Sequence, residues 1–156
     1  MFKLEIMKKL FFIGLATLAI GSATLTSCGK YPEGPGFALS SKKARLTGDW
    51  KLSAKTQNSV DILQTGYTEE LIINKDGSFI DTAKLVTGPF TYVGDNNGSW
   101  SFSEDKMQLM LNATKATTPL INGVNTFDIV KLTSKELILS KTNASIVTVL
   151  TFVPKN

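Results

Sequence analysis

The chain contains no histidine and a single cysteine, Cys28, among its 156 residues. Histidine is the commonest general base and a frequent ligand of transition metals, so its absence excludes Ser-His and Cys-His catalytic arrangements. Zinc sites are seldom built from carboxylates alone. One cysteine has no intramolecular disulfide partner, which excludes the disulfide framework of small secreted domains. We therefore predict a protein that is not an enzyme and has neither a metal site nor a cofactor.

The chain also has only a small net charge. The full chain has 17 basic and 13 acidic residues, a formal net charge of +4. Lys3, Lys8, Lys9 and Glu5 lie in the first 27 residues, and the remainder carries a net charge of about +2. Because no basic stripe is left to neutralise phosphates, we predict no nucleic-acid partner.

Two short stretches contain the oxygen side chains that calcium prefers: NKDG at residues 74–77 and DNNG at residues 95–98. Neither follows the EF-hand pattern, which has glycine at the sixth position and glutamate at the twelfth. Asn, Asp and Gly tolerate positive φ, so both stretches are interpreted as turns.

The N-terminal region is typical of a secretory signal peptide. Three lysines precede the apolar run LFFIGLATLAI at residues 10–20, and small residues follow it. The run is too short and too often interrupted for a membrane-spanning helix, which needs about 20 apolar residues. Met7 opens a more typical n-region than Met1, which leaves the true start undecided.

The sequence LTSC at residues 25–28 resembles the lipobox of bacterial lipoproteins, with an apolar residue three positions before an obligatory cysteine. The resemblance implies cleavage after Ser27, a diacylglyceryl thioether on Cys28 and a further acyl chain such as palmitate. Two or three acyl chains would hold the protein on a bilayer permanently. The alternative is ordinary cleavage that leaves a free thiol.

The position of the cysteine divides the chain into three parts. Residues 1–27 are the predicted lipoprotein signal peptide, residues 28–45 a lipidated cysteine and flexible tether, and residues 46–156 a folded domain. The tether is rich in Gly and Pro and has no apolar periodicity. The tether contains one acidic residue, Glu33. The signals that direct some lipoproteins to the cell surface resemble runs of acidic residues directly after the cysteine. We therefore expect anchoring in the outer membrane facing the periplasm, with the cell surface as the alternative.

From Leu46 onward, short runs alternate apolar and polar residues with the period of two that is typical of β-strands. We count about nine strand candidates joined by short turns, and NKDG marks one hairpin. The spacing leaves no room for crossover helices. The pattern predicts an all-β domain, an antiparallel up-and-down meander of about eight strands closed as a barrel, with a β-sandwich as the runner-up.

The segment from Leu46 to Leu52, with Gly48 and Trp50 inside it, resembles the first strand of lipocalin barrels. Further phrases at residues 71–79, 98–105 and 127–139 resemble small lipocalin-like domains of bacterial lipoproteins. The resemblance implies that Gly48 and Trp50 close one end of the barrel. True lipocalins back this Trp with an Arg from the last strand, but the only Arg here is Arg45, outside that strand. Fatty-acid-binding proteins hold a carboxylate with an Arg and a Tyr in their final strands, and residues 146–153 contain neither, so a carboxylate-binding mechanism is not supported.

Aromatic side chains are the main candidates for a ligand-lining role. They are Phe79, Trp100, Phe102, Phe127 and Phe152. The alternative is that the same residues fill the core. We expect the carboxylates on strands, such as Asp81 and Asp128, to lie on solvated faces.

Two functions fit these observations. In the first, a membrane-anchored barrel of the bacterial envelope binds a small apolar ligand in a cavity of roughly 300 Å³ or more. In the second, a filled barrel contacts another envelope protein through an exposed apolar patch. We slightly favour the first, on the lipocalin-like resemblance.

Overall fold

Antiparallel strands make up almost all of the folded domain. In a computed structural model, residues 40–117 and 123–155 are described, with the side chain of Ala116 excepted, and this part of the chain forms one short helix and nine strands. The elements are α1 Lys42–Leu46, β1 Gly48–Gln57, β2 Val60–Asp61, β3 Tyr67–Ile73, β4 Ser78–Thr87, β5 Phe90–Phe102, β6 Gln108–Ala116, β7 Val124–Leu132, β8 Leu137–Asn143 and β9 Ile146–Pro154. The predicted signal peptide, Cys28 and most of the predicted tether lie outside the described residues.

Eight of the strands form a closed barrel. Sequential strands β3 to β9 pair as antiparallel neighbours, and β1 pairs with β3 on one side and with β9 on the other. The two-residue strand β2 adds to the end of β1. This single closed sheet confirms the predicted barrel and excludes the two-sheet sandwich. Closure leaves no free edge along the paired parts of the strands.

The end of the barrel where β1 begins is closed by α1 and Trp50. Ser41 caps the helix by accepting a hydrogen bond from the Ala44 backbone N–H. The indole Nε1 of Trp50 donates to the backbone oxygen of Leu46 over 2.8 Å, and both side chains are buried. Residues 42–45 were expected in the tether, but the cap and the burial of Leu46 make them part of the ordered closed end.

The segment DNNG at residues 95–98 is not a turn, and that prediction was wrong. It lies inside the 13-residue strand β5, which joins two segments predicted as separate strands. Opposite Asn97 and Gly98, β6 contains one extra residue, Thr114, so the register of the two strands shifts at a bulge in β6. The other stretch, NKDG, is a turn between β3 and β4 with Gly77 at a φ of 95°, as predicted.

The barrel contains its own core. The buried apolar side chains of the described residues form one cluster between Leu46 and Phe152, and the strand pairings lie between Gly48 and Pro154. A segment with its own core and closed hydrogen bonding is expected to fold alone. Within the described ranges, no helix is both long and apolar enough to cross a bilayer.

Replacing Gly98 should destabilise the barrel severely. A Cβ atom at this position would overlap the backbone oxygen of Asn112 on β6, and neither backbone can retreat without breaking the sheet. We expect Gly98→Ala to lower the free energy of unfolding by at least about 3 kcal/mol in urea titrations. The neighbouring exposed Ser99 provides the control, since Ser99→Ala should change stability by less than about 0.5 kcal/mol. Equal stability of the two variants would contradict the close approach of the strands.

Candidate functional site

A cavity of about 240 Å³ occupies the half of the barrel opposite the helix. Its apolar wall consists of side chains from five strands: Leu71, Leu111, Phe127, Leu139, Leu150 and Phe152. Its polar wall consists of Gln57, Glu69, Lys141, Asn143 and Thr148, with Ile146 at the end of β9 that lies farthest from the helix. The volume equals that of about eight water molecules in the liquid. It lies below the 300 Å³ expected for a carrier, yet the barrel is not filled.

The register of β8 and β9 orders these walls along the barrel axis. From the closed end upward, Leu137 pairs with Phe152, Leu139 with Leu150, and Lys141 with Thr148. The cavity is therefore apolar at its floor and polar toward its mouth. An amphipathic molecule matches this gradient, with its apolar part against the floor.

The structure brings together two of the five aromatic residues predicted to line a ligand. Phe127 and Phe152 contribute to the cavity wall. Phe79 and Trp100 are buried outside the lining, and Trp100 donates from Nε1 to the backbone oxygen of Asn74 over 2.8 Å. Phe102 packs edge-on against Trp100, with ring centroids 5.5 Å apart. These three side chains contribute to the core, as the alternative interpretation proposed.

Gly48 and Trp50 lie at the end of the barrel where β1 begins, and their barrel-closing role stays a prediction. Gly48 opens β1 with a φ of 148°, in the region that favours glycine. The predicted lipidation site Cys28 lies outside the described residues.

Two carboxyl groups on neighbouring strands are buried inside the barrel. This is contrary to the expectation that carboxylates on strands are solvated. Glu69 on β3 is 2% exposed and Asp81 on β4 is fully buried, whereas Asp128 on β7 is exposed. The Tyr67 hydroxyl donates to Glu69 Oε2 over 2.6 Å, and Asn96 Nδ2 donates to Asp81 Oδ2 over 2.8 Å. Asp81 Oδ1 is buried without a hydrogen-bond partner in the described structure.

Burial controls the protonation of this pair. It raises the pKa of Glu69, which the Tyr67 hydrogen bond and the positive charge of Lys55 offset in part. Burial and then the negative charge of Glu69 raise the pKa of Asp81 to about 7. Two neighbouring carboxyls in a poorly solvated interior resist ionising together. The pair therefore retains a proton close to neutral pH.

The sequence contains a pattern that indicates the inward position of Glu69 and Asp81. Glu69 is in phase with Leu71 and Ile73, and Asp81 is in phase with Phe79 and Ala83, so each lies on the inward face of its strand. Period-two reasoning applied without regard to charge would have placed both inside. Within the described residues, no three potential ligand side chains cluster as a metal site would require.

Lys141 was not singled out from the sequence, although it lines the cavity. Its Nζ donates to Asn125 Oδ1 over 2.5 Å and lies 5.7 Å from the centroid of the Phe127 ring. Lys141 alternates in phase with Leu137 and Leu139 along β8, and this pattern could have indicated that its side chain points into the barrel.

Exposed apolar side chains surround the open end of the barrel. Of ten large exposed hydrophobic residues in the described structure, nine lie in strand ends or connections at this end, and Ile80 is the exception. They are Val60, Ile62, Val86, Phe90, Tyr92, Val93, Val124, Ile146 and Val147. We call these nine residues the apolar rim.

Comparisons with known proteins find likeness only among solved structures. No family model and no curated protein sequence matches the chain. A lipocalin-like protein from Bacteroides uniformis is similar, with 17% identity, a TM-score of 0.47 and coverage of 71% of this chain and 99% of that chain. Bovine odorant binding protein, crystallised with its natural ligand, is 14% identical with a TM-score of 0.47 and 77% coverage of each chain. At such identities the likeness concerns the fold alone, and the barrel assignment rests on strand order and closure.

The buried acid pair should make stability depend on pH. The pKa of Asp81 rises from 3.8 to about 7 on folding, so the folded state keeps a proton that the unfolded state releases between these values. The free energy of unfolding should therefore fall by a few kcal/mol as pH rises from about 4 to about 7, then level off. Asp81→Asn does not titrate and should reduce this fall, as measured by urea unfolding across the pH range.

Asp128→Asn is the matched control. This carboxylate also accepts a hydrogen bond from an amide, Gln108 Nε2 at 2.8 Å, but on the exposed surface. The Asp128→Asn protein should keep the wild-type pH dependence. Identical pH profiles for wild type and Asp81→Asn would show that Asp81 ionises normally.

Proposed function

We propose that this protein is a membrane-anchored lipoprotein of the bacterial envelope that holds one small amphipathic molecule in its barrel and catalyses no reaction. The observation that carries the binding function is the cavity, whose apolar floor and polar mouth are built from inward-facing residues of six strands. A barrel of eight strands is wide enough either to be filled by side chains or to hold one small ligand. Here the side chains leave space.

The point where the chain enters the barrel supports the anchored arrangement. The short helix α1 lies at the closed end, so the segment leading to Cys28 joins the barrel there. The cavity lies toward the other end. An acylated Cys28 in the outer membrane would thus leave the mouth free of the tether on the periplasmic side.

The apolar rim favours a second candidate function. Phe90 and Tyr92 are each more than 60% exposed, and clustered exposed hydrophobic residues often mark an interaction site. The rim agrees with the surface expected for a protein-interaction module of the envelope. The cavity disagrees with the filled interior that this alternative predicts, which makes ligand binding the better-supported function.

Native mass spectrometry should reveal a bound molecule. Residues 29–156, exported to a bacterial periplasm and purified without denaturant, should show a discrete extra mass that disappears on denaturation. The physical reason is that the cavity would otherwise leave apolar side chains facing trapped water. Equal native and denatured masses, repeated after exposure to lipid and metabolite extracts, would overturn the binding function and direct the search to partners of the apolar rim.

The membrane anchor has its own test. Cells expressing the full chain and fed labelled palmitate should incorporate label into the wild type, and Cys28→Ala should abolish it because the acylated sulfur is absent. Ser27→Ala keeps a small residue at the cleavage position and should still be labelled. Label persisting in Cys28→Ala would show that the chain is not acylated at this cysteine.

A further inference from the structure

Of the polar groups in the cavity wall, Lys141 is the one whose charge is not compensated. Its hydrogen-bond partner Asn125 and the Phe127 ring are both neutral. Neither of the two ion pairs found among the described residues includes Lys141, as they join Lys131 to Glu136 and Lys155 to Glu70. An ammonium carries three N–H donors, and the contact with Asn125 uses one. Two donors and a full positive charge remain available at the cavity wall.

The acidic group in the same wall is better satisfied. Glu69 accepts a hydrogen bond from the Tyr67 hydroxyl and lies in the positive field of Lys55. Lys55 Nζ is 5.8 Å from the centroid of the Tyr67 ring, beside this carboxyl group. The proton retained by the Glu69 and Asp81 pair reduces the negative charge further. A cationic ligand would therefore gain less at Glu69 than an anionic one would gain at Lys141.

The shape of the cavity limits the rest of the ligand. Below Lys141 the wall is apolar, formed by residues such as Leu139, Leu150 and Phe152. The volume equals about eight water molecules, which suits one medium-length hydrocarbon chain. Lipids with two long chains are too large.

We propose that the cavity binds a single-chain amphiphile with an anionic head group, and that the Lys141 ammonium binds that head group. This inference rests on the proposed ligand-binding function. The charge recognised is shared by carboxylate, sulfate and phosphate heads. In this proposal the residue that binds the head group lies on β8. The Arg and Tyr with which fatty-acid-binding proteins hold a carboxylate are absent from the last strand.

The test compares three probes that share one chain and differ in head-group charge: octanoate, octanol and octylammonium. Calorimetric titration of residues 29–156 at pH 7 should give octanoate an affinity at least about ten-fold above those of octanol and octylammonium. Lys141→Gln keeps a hydrogen-bonding side chain and removes the charge. It should lower octanoate affinity about ten-fold or more and leave octanol affinity within about two-fold.

Lys84→Gln is the matched control, because Lys84 is an exposed lysine on β4 whose loss changes net charge equally. It should leave the binding of all three probes unchanged. A circular-dichroism melt of each variant checks that the barrel is folded.

The outcomes separate the two proposals. If octanol binds as tightly as octanoate and Lys141→Gln changes neither, the cavity binds ligands but the anionic specificity is wrong. If octylammonium binds best, Glu69 is the head-group site and the inference is overturned. If none of the probes binds and native mass spectrometry finds no extra mass, the ligand-binding function itself fails.

Discussion

Pairing of the first strand with the last is the interaction on which the cavity depends. Seven residue pairs join β1 to β9, from Trp50 opposite Pro154 to Gln57 opposite Thr148. Without them the sheet would have two exposed edges and no enclosed space. A bulge between Leu52 and Ala54 shifts the register within this pairing, so that Lys55 and Gln57 continue the inward face begun by Leu52. One irregularity in the closing pair thus places Gln57 in the polar wall of the cavity and Lys55 where its charge acts on Glu69.

The interior is divided by chemistry along the barrel axis. The lower half, between α1 and the cavity, is a packed apolar core, and its burial provides most of the folding energy. The upper half contains Glu69, Asp81 and Asn96, whose burial costs free energy that their mutual hydrogen bonds and a retained proton offset. Natural folds keep such groups where specificity or binding depends on them, and here they adjoin the cavity.

Much of this fold was accessible from the sequence because period-two alternation and turn residues act locally. The hairpin at residues 74–77 and the inward placement of Trp50 follow from such short-range rules. The continuity of β5 does not, because its DNNG segment is held by contacts with β6 and with Thr117, which follows β6 and is hydrogen-bonded to Asp95. The inward acids and Lys141 were missed for another reason. Charged residues on strands were expected to face the solvent. In a closed barrel, however, the alternation along each strand decides which side chains point inward, whether or not they are charged.

Closure by strands at opposite ends of the domain also has a kinetic consequence. The hydrogen bond from Ser53 to Thr151 spans 98 residues, and β9 is synthesised after the other strands of the barrel. The edge of β1 that pairs with β9 therefore stays unpaired until β9 has been synthesised. A high mean sequence separation between contacting residues slows folding, and an open edge invites pairing with other chains during that delay. The exposed interval, rather than the finished barrel, is when this protein most needs protection from aggregation.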